Sequence, residues 1–324
     1  MLARLAGDVP LPARLRGGVV AIGNFDGVHR GHQAVLERAL QEAQKRGVPA
    51  LVLTFHPHPR KFFRPQVPLF VLTPSEMKAK LLDRLGFAAV VEQEFTSGFS
   101  TSSAEYFVAS ILRDNLGICH AVTGFNFHFG KNRQGGPAFL MDAGERYGFG
   151  VTLVDAFRDE GAQIISSSRI RELLAQGDVE QAAGLLGYRF TVCGTVIDGQ
   201  KLGRTLGFPT ANMRLPAEVE LREGIYAVRF RRADGSLHDG VASFGRRPTV
   251  DDNGAPLLET FVFDFSGNLY GEVCEVSFFS YLRGEEKFDD LESLVAKMKR
   301  DEQEARAVLA GVRPLSKLDA AISF

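Results

Sequence analysis

The order of apolar runs and amphipathic stretches constrains the fold of this chain more than any other feature. In the first half, strand-like runs alternate with helical patterns such as Gln33–Arg46. Thr73–Glu76 has the pattern of a helix N-terminus, with Thr73 as its cap. The alternation predicts parallel βαβ units in a doubly wound α/β sheet. The strand-like runs are Gly18–Ile22, Ala50–Phe55, Phe87–Val91, His120–Thr123 and Val151–Val154.

The pattern changes near residue 188. After two helical stretches, Ser168–Gln176 and Asp178–Leu186, several runs alternate apolar and polar residues, and hairpin-type turns join some of them. This spacing predicts a small antiparallel β-barrel, with the amphipathic stretch Asp290–Leu309 as a C-terminal helix packed on it. We therefore expect two domains, residues 1–186 and 187–324. The alternating runs are Arg189–Ile197, Gly224–Arg231, Gly240–Phe244, Leu257–Phe265 and Glu272–Tyr281.

Composition argues against several classes of protein. The net charge of −1, from 38 basic and 39 acidic residues, gives no global field that would attract nucleic acid. The 3 cysteines are far apart and form no C-x-x-C pair, which argues against a disulfide framework and a thiolate zinc site. No run has the length of a membrane span or the pattern of a signal peptide. We expect a cytoplasmic enzyme that acts on small molecules.

The segment Gly23–His32, GNFDGVHRGH, joins the first strand-like run to the first helix. Open parallel sheets bind ligands at the carboxyl ends of their strands, over the following helix N-termini. The glycines of this segment allow a phosphate to approach the backbone, and His29 and His32 share one helix face. A metal site would need a further ligand, and two structural histidines are another alternative. The glycine-rich turn favours a phosphate site.

Other nucleotide-binding signatures are absent from the sequence. It contains no G-x-G-x-x-G, and the nearest approach to a P-loop, Gly124–Lys131, has five residues between its glycines and an asparagine after the lysine. These differences argue against a Rossmann dehydrogenase and against a P-loop kinase.

The Gly23–His32 turn resembles the H-x-G-H signature of nucleotidyltransferases, and its longer form resembles the FMN adenylyltransferase domain of bacterial FAD synthetases. Three further stretches follow in the order of that family: LTFHPHPR at 53–60, TGFNFHFG at 123–130 and ISSSRIR at 165–171. The resemblance implies in-line transfer of AMP from ATP to the FMN phosphate, with release of pyrophosphate. His29 and His32 would be catalytic, stabilising the charge on the phosphates.

The same resemblance implies two sets of binding residues. Hydroxyls and an arginine leading into a helix suit a departing pyrophosphate. Phe55, His58 and Phe63 would contact the flavin, with an ordinary core position as the alternative for Phe63. The residues implied in nucleotide or phosphate binding are Gly23, Asn24, Phe25, Asp26, Gly27, Gly31, Asn126, Ser166, Ser168 and Arg171.

The second half contains two informative features. Gly203–Asn212 has the composition of a loop, and the oxygens of Thr210 and Asn212 suit Mg²⁺ that arrives with a nucleotide, although an ordinary turn has the same composition. Alternation puts Glu259 on the same face as Phe261, Phe263 and Phe265. Burial on an aromatic face would raise the pKa of Glu259 toward the range of a general base. The alternative is a glutamate that reaches solvent.

These features resemble riboflavin kinase, in the order of that family over residues 188–324. The resemblance implies a six-stranded barrel in which Gly203, Thr210 and Asn212 bind ATP with Mg²⁺. Glu259 would deprotonate the terminal ribityl hydroxyl, and Arg283 would contact the flavin or organise a loop. The matching stretches are PTAN at 209–212, GVASFGRRPTV at 240–250 and YLRGE at 281–285.

Together the two halves predict a bifunctional riboflavin kinase/FMN adenylyltransferase that requires Mg²⁺ for both steps. Riboflavin, ATP, FMN and FAD are the implied substrates and products, and the chain is expected to be a monomer or a transient homo-oligomer. One alternative is a nucleotidyltransferase for another phosphorylated small molecule, with a regulatory flavin-binding barrel. Another is an RNA- or partner-binding scaffold, which the balanced charge disfavours.

Overall fold

The computed structural model describes residues 2–199, 206–246 and 255–324. Contacts divide the chain into two compact units, unit 1 ending at Ser167 and unit 2 beginning at Ser168. Gly203, expected to bind ATP, lies outside the described residues. None of the helices in the described ranges has the length and hydropathy needed to cross a membrane.

Unit 1 is built on a parallel six-stranded sheet in the order β1-β4-β3-β2-β5-β6, which confirms the predicted α/β class. β2 is buried along its whole length because it lies in the middle of the sheet. The edge strand β1 was not predicted, because its four residues, ARLA, contain no apolar run. The strands are β1 (Ala3–Ala6), β2 (Val19–Ile22), β3 (Ala50–His56), β4 (Ala89–Glu94), β5 (His120–Gly124) and β6 (Gly150–Val154).

The helices of unit 1 connect successive strands. α1 ends at Gly47, whose φ of 66° is left-handed and whose N–H bonds the last helical carbonyls. The cap predicted at Thr73 is wrong, because α3 begins at Ser75 with Pro74 at the cap position. Short 3₁₀ segments (Ala13–Leu15, Lys131–Arg133) and a π-helical segment (Phe107–Asn115) complete unit 1. The helices are α1 (Arg30–Arg46), α2 (Pro59–Phe63), α3 (Ser75–Leu85), α4 (Ser97–Ser100), α5 (Ala104–Tyr106) and α6 (Pro137–Tyr147).

Unit 2 is a closed antiparallel barrel in the order β10-β11-β8-β7-β12-β9, as predicted. The loop predicted at 203–212 is wrong at its end, where Thr210 begins a strand whose Ala211 and Met213 are buried. The elements are α7 (Ser167–Gln176, which begins at the last residue of unit 1), α8 (Val179–Leu186), β7 (Thr191–Ile197), β8 (Thr210–Arg214), β9 (Gly224–Arg231), β10 (Leu237–Gly245), β11 (Leu257–Val262), β12 (Val273–Arg283), α9 (Leu291–Gly311) and α10 (Lys317–Ser323).

The C-terminal helices hold to the barrel through an apolar cluster and through buried ion pairs, one of which involves α10. Ala305 and Leu309 of α9 pack against Phe279, which confirms the predicted docking of this helix. The fully buried Asp319 accepts hydrogen bonds from the backbone N–H of Arg189 at 2.8 Å and from its guanidinium at 2.6 Å. This pair ties α10 to the residues that precede β7.

Candidate active sites

Unit 1 contains a cavity of about 920 Å³ at the carboxyl ends of its strands, where the sequence predicted a ligand. Its wall combines the turn after β2 with segments that follow β3, β5 and β6. Of the residues expected to bind nucleotide or flavin, many line it: Gly23, Asn24, Phe25, Asp26, His29, Gly31, His32, Phe55, Phe63, Asn126 and Ser166.

The turn after β2 has a strained backbone. Phe25 and Val28 have φ values of 47° and 38°, a region that side chains with a Cβ rarely adopt, and both side chains are buried. Burial of these side chains holds the backbone in this conformation. A Cβ at Gly31 would lie 3.2 Å from the ring of His29, so glycine there makes room for the imidazole.

His29 and His32 face each other as the sequence predicted. His29 caps α1, and its Nδ1 accepts the backbone N–H of His32 at 3.2 Å. The two rings stack with centroids 3.6 Å apart and planes 15° from parallel. With Nδ1 of His29 accepting this bond, Nε2 is the ring nitrogen left to donate to a ligand.

His32 is held in its neutral form. Burial lowers the pKa of His32 well below its ordinary value, and the nearby charges of His29 and Lys78 lower it further. Within the described part of the chain, the buried Nδ1 of His32 has no hydrogen-bond partner. A neutral imidazole still donates from the ring nitrogen that carries its proton, so His32 can donate to a phosphate without a positive charge.

Some residues expected in this site lie elsewhere. His58 caps α2, with its Nδ1 accepting the N–H of Arg60 at 3.1 Å, and Gly27 donates its N–H to Thr73 Oγ1 at 2.8 Å. Neither lines the cavity. Ser168 and Arg171 lie on α7, in unit 2.

The cavity wall also contains aromatic side chains and cations that the sequence analysis missed. Phe55 packs against Phe95 and Phe99 at ring distances of 6.1 and 6.0 Å. Phe63 is 62% exposed, so it is not an ordinary core residue. A chain with 26 phenylalanines gives no signal for which of them line a cavity. The further aromatic and cationic lining residues are Phe107, Phe127, Phe129, Arg60, Lys131 and Arg133.

Unit 2 contains a second cavity, of about 330 Å³, whose lining includes Thr210, Asn212, Glu259 and Arg283. The strand register explains why they meet: Glu259 on β11 lies opposite Asn212 on β8 and opposite Ser243 on β10. Directly opposed residues project to the same face of a sheet. Ser243, Glu259 and Asn212 therefore form one row across three strands.

Glu259 lies on the outer face of the barrel. Leu258 and Thr260 are fully buried, whereas Glu259 and Phe261 are half-buried on the opposite face, which confirms that these two share a side. The alternation does not extend to Phe263 and Phe265, because β11 ends at Val262. Phe263 is instead buried in the cluster under α9.

The oxygen of the Asn212 side chain is available to a ligand. Its Oδ1 is buried and accepts no hydrogen bond from the described residues, while its Nδ2 donates to the Thr210 carbonyl at 3.2 Å. A buried polar atom without a partner is costly, and a hard cation satisfies such an oxygen. Arg283 is already paired, its guanidinium bonding both oxygens of Asp301 at 2.9 and 2.6 Å.

Comparison with known proteins matches the two parts of the chain to two enzyme families. A family model described as FAD synthetase matches residues 11–169, and one described as riboflavin kinase matches residues 186–309. A bifunctional riboflavin kinase/FMN adenylyltransferase of Listeria monocytogenes is 41% identical over 90% of this chain and 92% of its own. One of Escherichia coli K12 is 36% identical over 92% and 95%.

Solved structures include a chain with the same fold. A protein of Streptococcus pneumoniae described as a macrolide-efflux protein has a TM-score of 0.83 and 29% sequence identity, and the match covers 94% of this chain and 99% of that one. The similarity therefore extends over nearly the whole length of both chains.

Proposed function

The chain belongs to the family of bifunctional riboflavin kinase/FMN adenylyltransferases, and from this premise we propose which of its residues carry each of the two reactions. In the first reaction ATP phosphorylates riboflavin to FMN, and in the second AMP is transferred from ATP to FMN to give FAD. We assign the adenylyltransferase to residues 1–186 and the kinase to residues 187–324. This boundary assigns α7 and α8 to the adenylyltransferase, although by contacts they belong to unit 2.

For the adenylyltransferase, stabilisation of charge is the main task of the protein. The FMN phosphate attacks the α-phosphorus of ATP in line and pyrophosphate leaves, so negative charge builds on the phosphate oxygens. His29 and His32 donate from Nε2 to those oxygens, and the stacked, preorganised pair is the observation that carries this assignment. No covalent enzyme intermediate is needed.

The other residues of this site position the two substrates. The turn Gly23–Asp26 and Gly31 bring backbone close to the nucleotide phosphates, and Asn126 and Ser166 contact the nucleotide from the facing wall. Ser168 and Arg171 bind the departing pyrophosphate by the family pattern. Phe55 and Phe63 provide an apolar surface for the flavin ring, with His58 fixing the local turn through its cap on α2.

For the kinase, Glu259 acts as the general base. It accepts the proton of the terminal ribityl hydroxyl as that oxygen attacks the γ-phosphate of ATP. Thr210 and Asn212 hold Mg²⁺ with ATP, and the buried unpartnered Oδ1 of Asn212 supports this role. The ion neutralises phosphate charge when bound. Arg283, fixed by Asp301, organises the flavin side of the cavity.

The setting of the enzyme is also part of the proposal. Both steps use Mg²⁺, and the enzyme works in the cytoplasm as a monomer or a transient homo-oligomer on small molecules alone. The riboflavin kinase match over residues 186–309 argues against a barrel that only binds flavin.

Chromatographic separation of flavins tests this division of labour. The purified chain is incubated with ATP and Mg²⁺, and with either riboflavin or FMN. In E259Q we expect FMN formation to fall by about 10²- to 10⁴-fold, while FAD formation from added FMN stays at the wild-type rate. The matched control E275Q changes a carboxylate of β12 outside the cavity lining. Wild-type FMN formation by E259Q, or loss of both activities in a folded E259Q, would contradict the assignment.

A further inference from the structure

Lys78 is a buried lysine behind the adenylyltransferase site. It lies on α3 and is 9% exposed, and its Nζ donates to the Asn24 carbonyl at 2.8 Å and to Thr54 Oγ1 at 3.1 Å. It is not one of the described residues that line the cavity. Burial of an ammonium group is costly, so a lysine kept in this position calls for an explanation beyond packing.

The acceptor of Lys78 belongs to the turn that faces the cavity. Thr54 Oγ1 donates to the same Asn24 carbonyl at 3.1 Å, so two donors hold this oxygen. In a trans peptide the carbonyl and the following N–H point in opposite directions. The Phe25 N–H therefore points away from Lys78, and no described residue accepts it. Both Asn24 and Phe25 line the cavity.

This peptide orientation needs support from outside the turn. Phe25 has a left-handed φ of 47°, which a residue with a side chain adopts only when its surroundings enforce it. Thr73 contributes from the residues before α3: its N–H donates to Asp26 Oδ1 at 3.2 Å, and its Oγ1 donates to the Phe25 carbonyl at 3.3 Å. Lys78 is the charged member of this set of anchors.

Two carboxylates lie near Lys78. Burial lowers the pKa of Lys78 below its ordinary value, and the charges of Asp26 and Glu92 oppose that shift. Glu92 is itself bonded by Ser75 and Arg4. On the cavity side, Lys78 lowers the pKa of His32, so its field reaches the histidine pair. A positive charge behind a phosphate-binding turn favours the build-up of negative charge in front of it.

We propose that Lys78 is a positioning residue for AMP transfer. It fixes the Asn24 carbonyl so that the Phe25 N–H is presented to the ATP phosphates, and it adds a positive charge behind the turn. This inference rests on the proposed adenylyltransferase function of unit 1. Lys78 does not touch the substrate. Through it, helix α3 contributes to the stabilisation of the reacting phosphates.

Steady-state kinetics of FAD formation tests the proposal with K78M, K78R and the control K80M on the same helix. Methionine keeps most of the packing volume but loses the charge and the donors, so kcat is expected to fall about 10²-fold while KM for FMN changes less than about threefold. K78R keeps the charge and is expected to recover at least about tenfold of that loss. K80M and the riboflavin kinase activity of every variant are expected to remain at wild-type values.

The possible outcomes distinguish a positioning role of Lys78 from a role in packing alone. A K78M enzyme with kcat within about threefold of wild type, or with a raised KM and unchanged kcat, would overturn the proposal. So would a K78R enzyme no better than K78M. If K78M does not fold, T54V decides: it removes the second donor to Asn24, and kcat must fall several-fold with KM held. A wild-type chain that makes no FAD from FMN would instead refute the proposed function itself.

Discussion

His29 has two roles that substitution can separate. Its Nδ1 caps α1 by accepting the His32 N–H, and its Nε2 is the proposed donor to the phosphates. Asparagine is a good cap residue and its side-chain oxygen reaches the same N–H, but it has no group in the position of Nε2. H29N therefore removes the donor and keeps the cap, whereas H29A removes both.

The expected magnitudes follow from these contacts. Loss of a cap costs about 1 kcal/mol. For a domain of this size that lowers the melting temperature by about 2–4 °C. We expect this shift in H29A and a shift below about 1 °C in H29N. Loss of one preorganised donor costs about 10²- to 10³-fold in kcat, and both variants lose it.

The assay measures FAD formation from FMN, with calorimetric melting on the same samples. Riboflavin phosphorylation by the same chain is the internal control and is expected to be unchanged, because the cavity proposed for it is lined by residues of unit 2. The assignment is refuted if H29N makes FAD within about fivefold of the wild-type rate, since the cap alone would then account for the presence of His29.

Two further predictions concern pH and the kinase site. Because burial holds the pKa of His32 below its ordinary value, the unfolded chain binds more protons there than the folded one below about pH 6.5, and stability falls as pH is lowered. The urea midpoint is expected to drop less between pH 7.5 and 5.5 in H32Q than in wild type, and an equal drop would contradict this. N212L removes the buried unpartnered oxygen, so we expect KM for ATP with Mg²⁺ to rise more than about tenfold, with FAD formation from FMN intact. It also removes the Nδ2 bond to the Thr210 carbonyl, so the melting temperature is expected to fall slightly. An unchanged KM would argue against a role for Asn212 in holding the ion.

Elements with strong local signals were predictable from the sequence. The apolar runs of β2 to β6 and the periodicity of α1 gave their positions within a few residues, and the spacing of His29 and His32 gave their shared face. β1 had no such signal, because its stability comes from pairing with β4 more than eighty residues later.

Contacts between residues that are far apart in the chain could not be predicted from the sequence. Thr73 has the local pattern of a helix cap, but it anchors the turn at Gly27 instead, a residue 46 positions away. In the sequence Lys78 is an ordinary helix lysine, because its hydrogen bond to the Asn24 carbonyl is visible only in the structure. The row that contains Glu259 and Asn212 depends on the register of strands that are far apart in the chain.

The ion pair between Arg189 and Asp319 has a consequence for the order in which the two units are completed during synthesis. The two residues are 130 positions apart, so Asp319 leaves the ribosome about ten seconds after Arg189. Until then the residues before β7 lack the carboxylate that their buried guanidinium requires. Ser168 and Arg171, the last residues proposed for AMP transfer, precede Arg189 and leave the ribosome before either member of this ion pair. During synthesis, every residue proposed for the consumption of FMN is therefore outside the ribosome before the segment that completes unit 2.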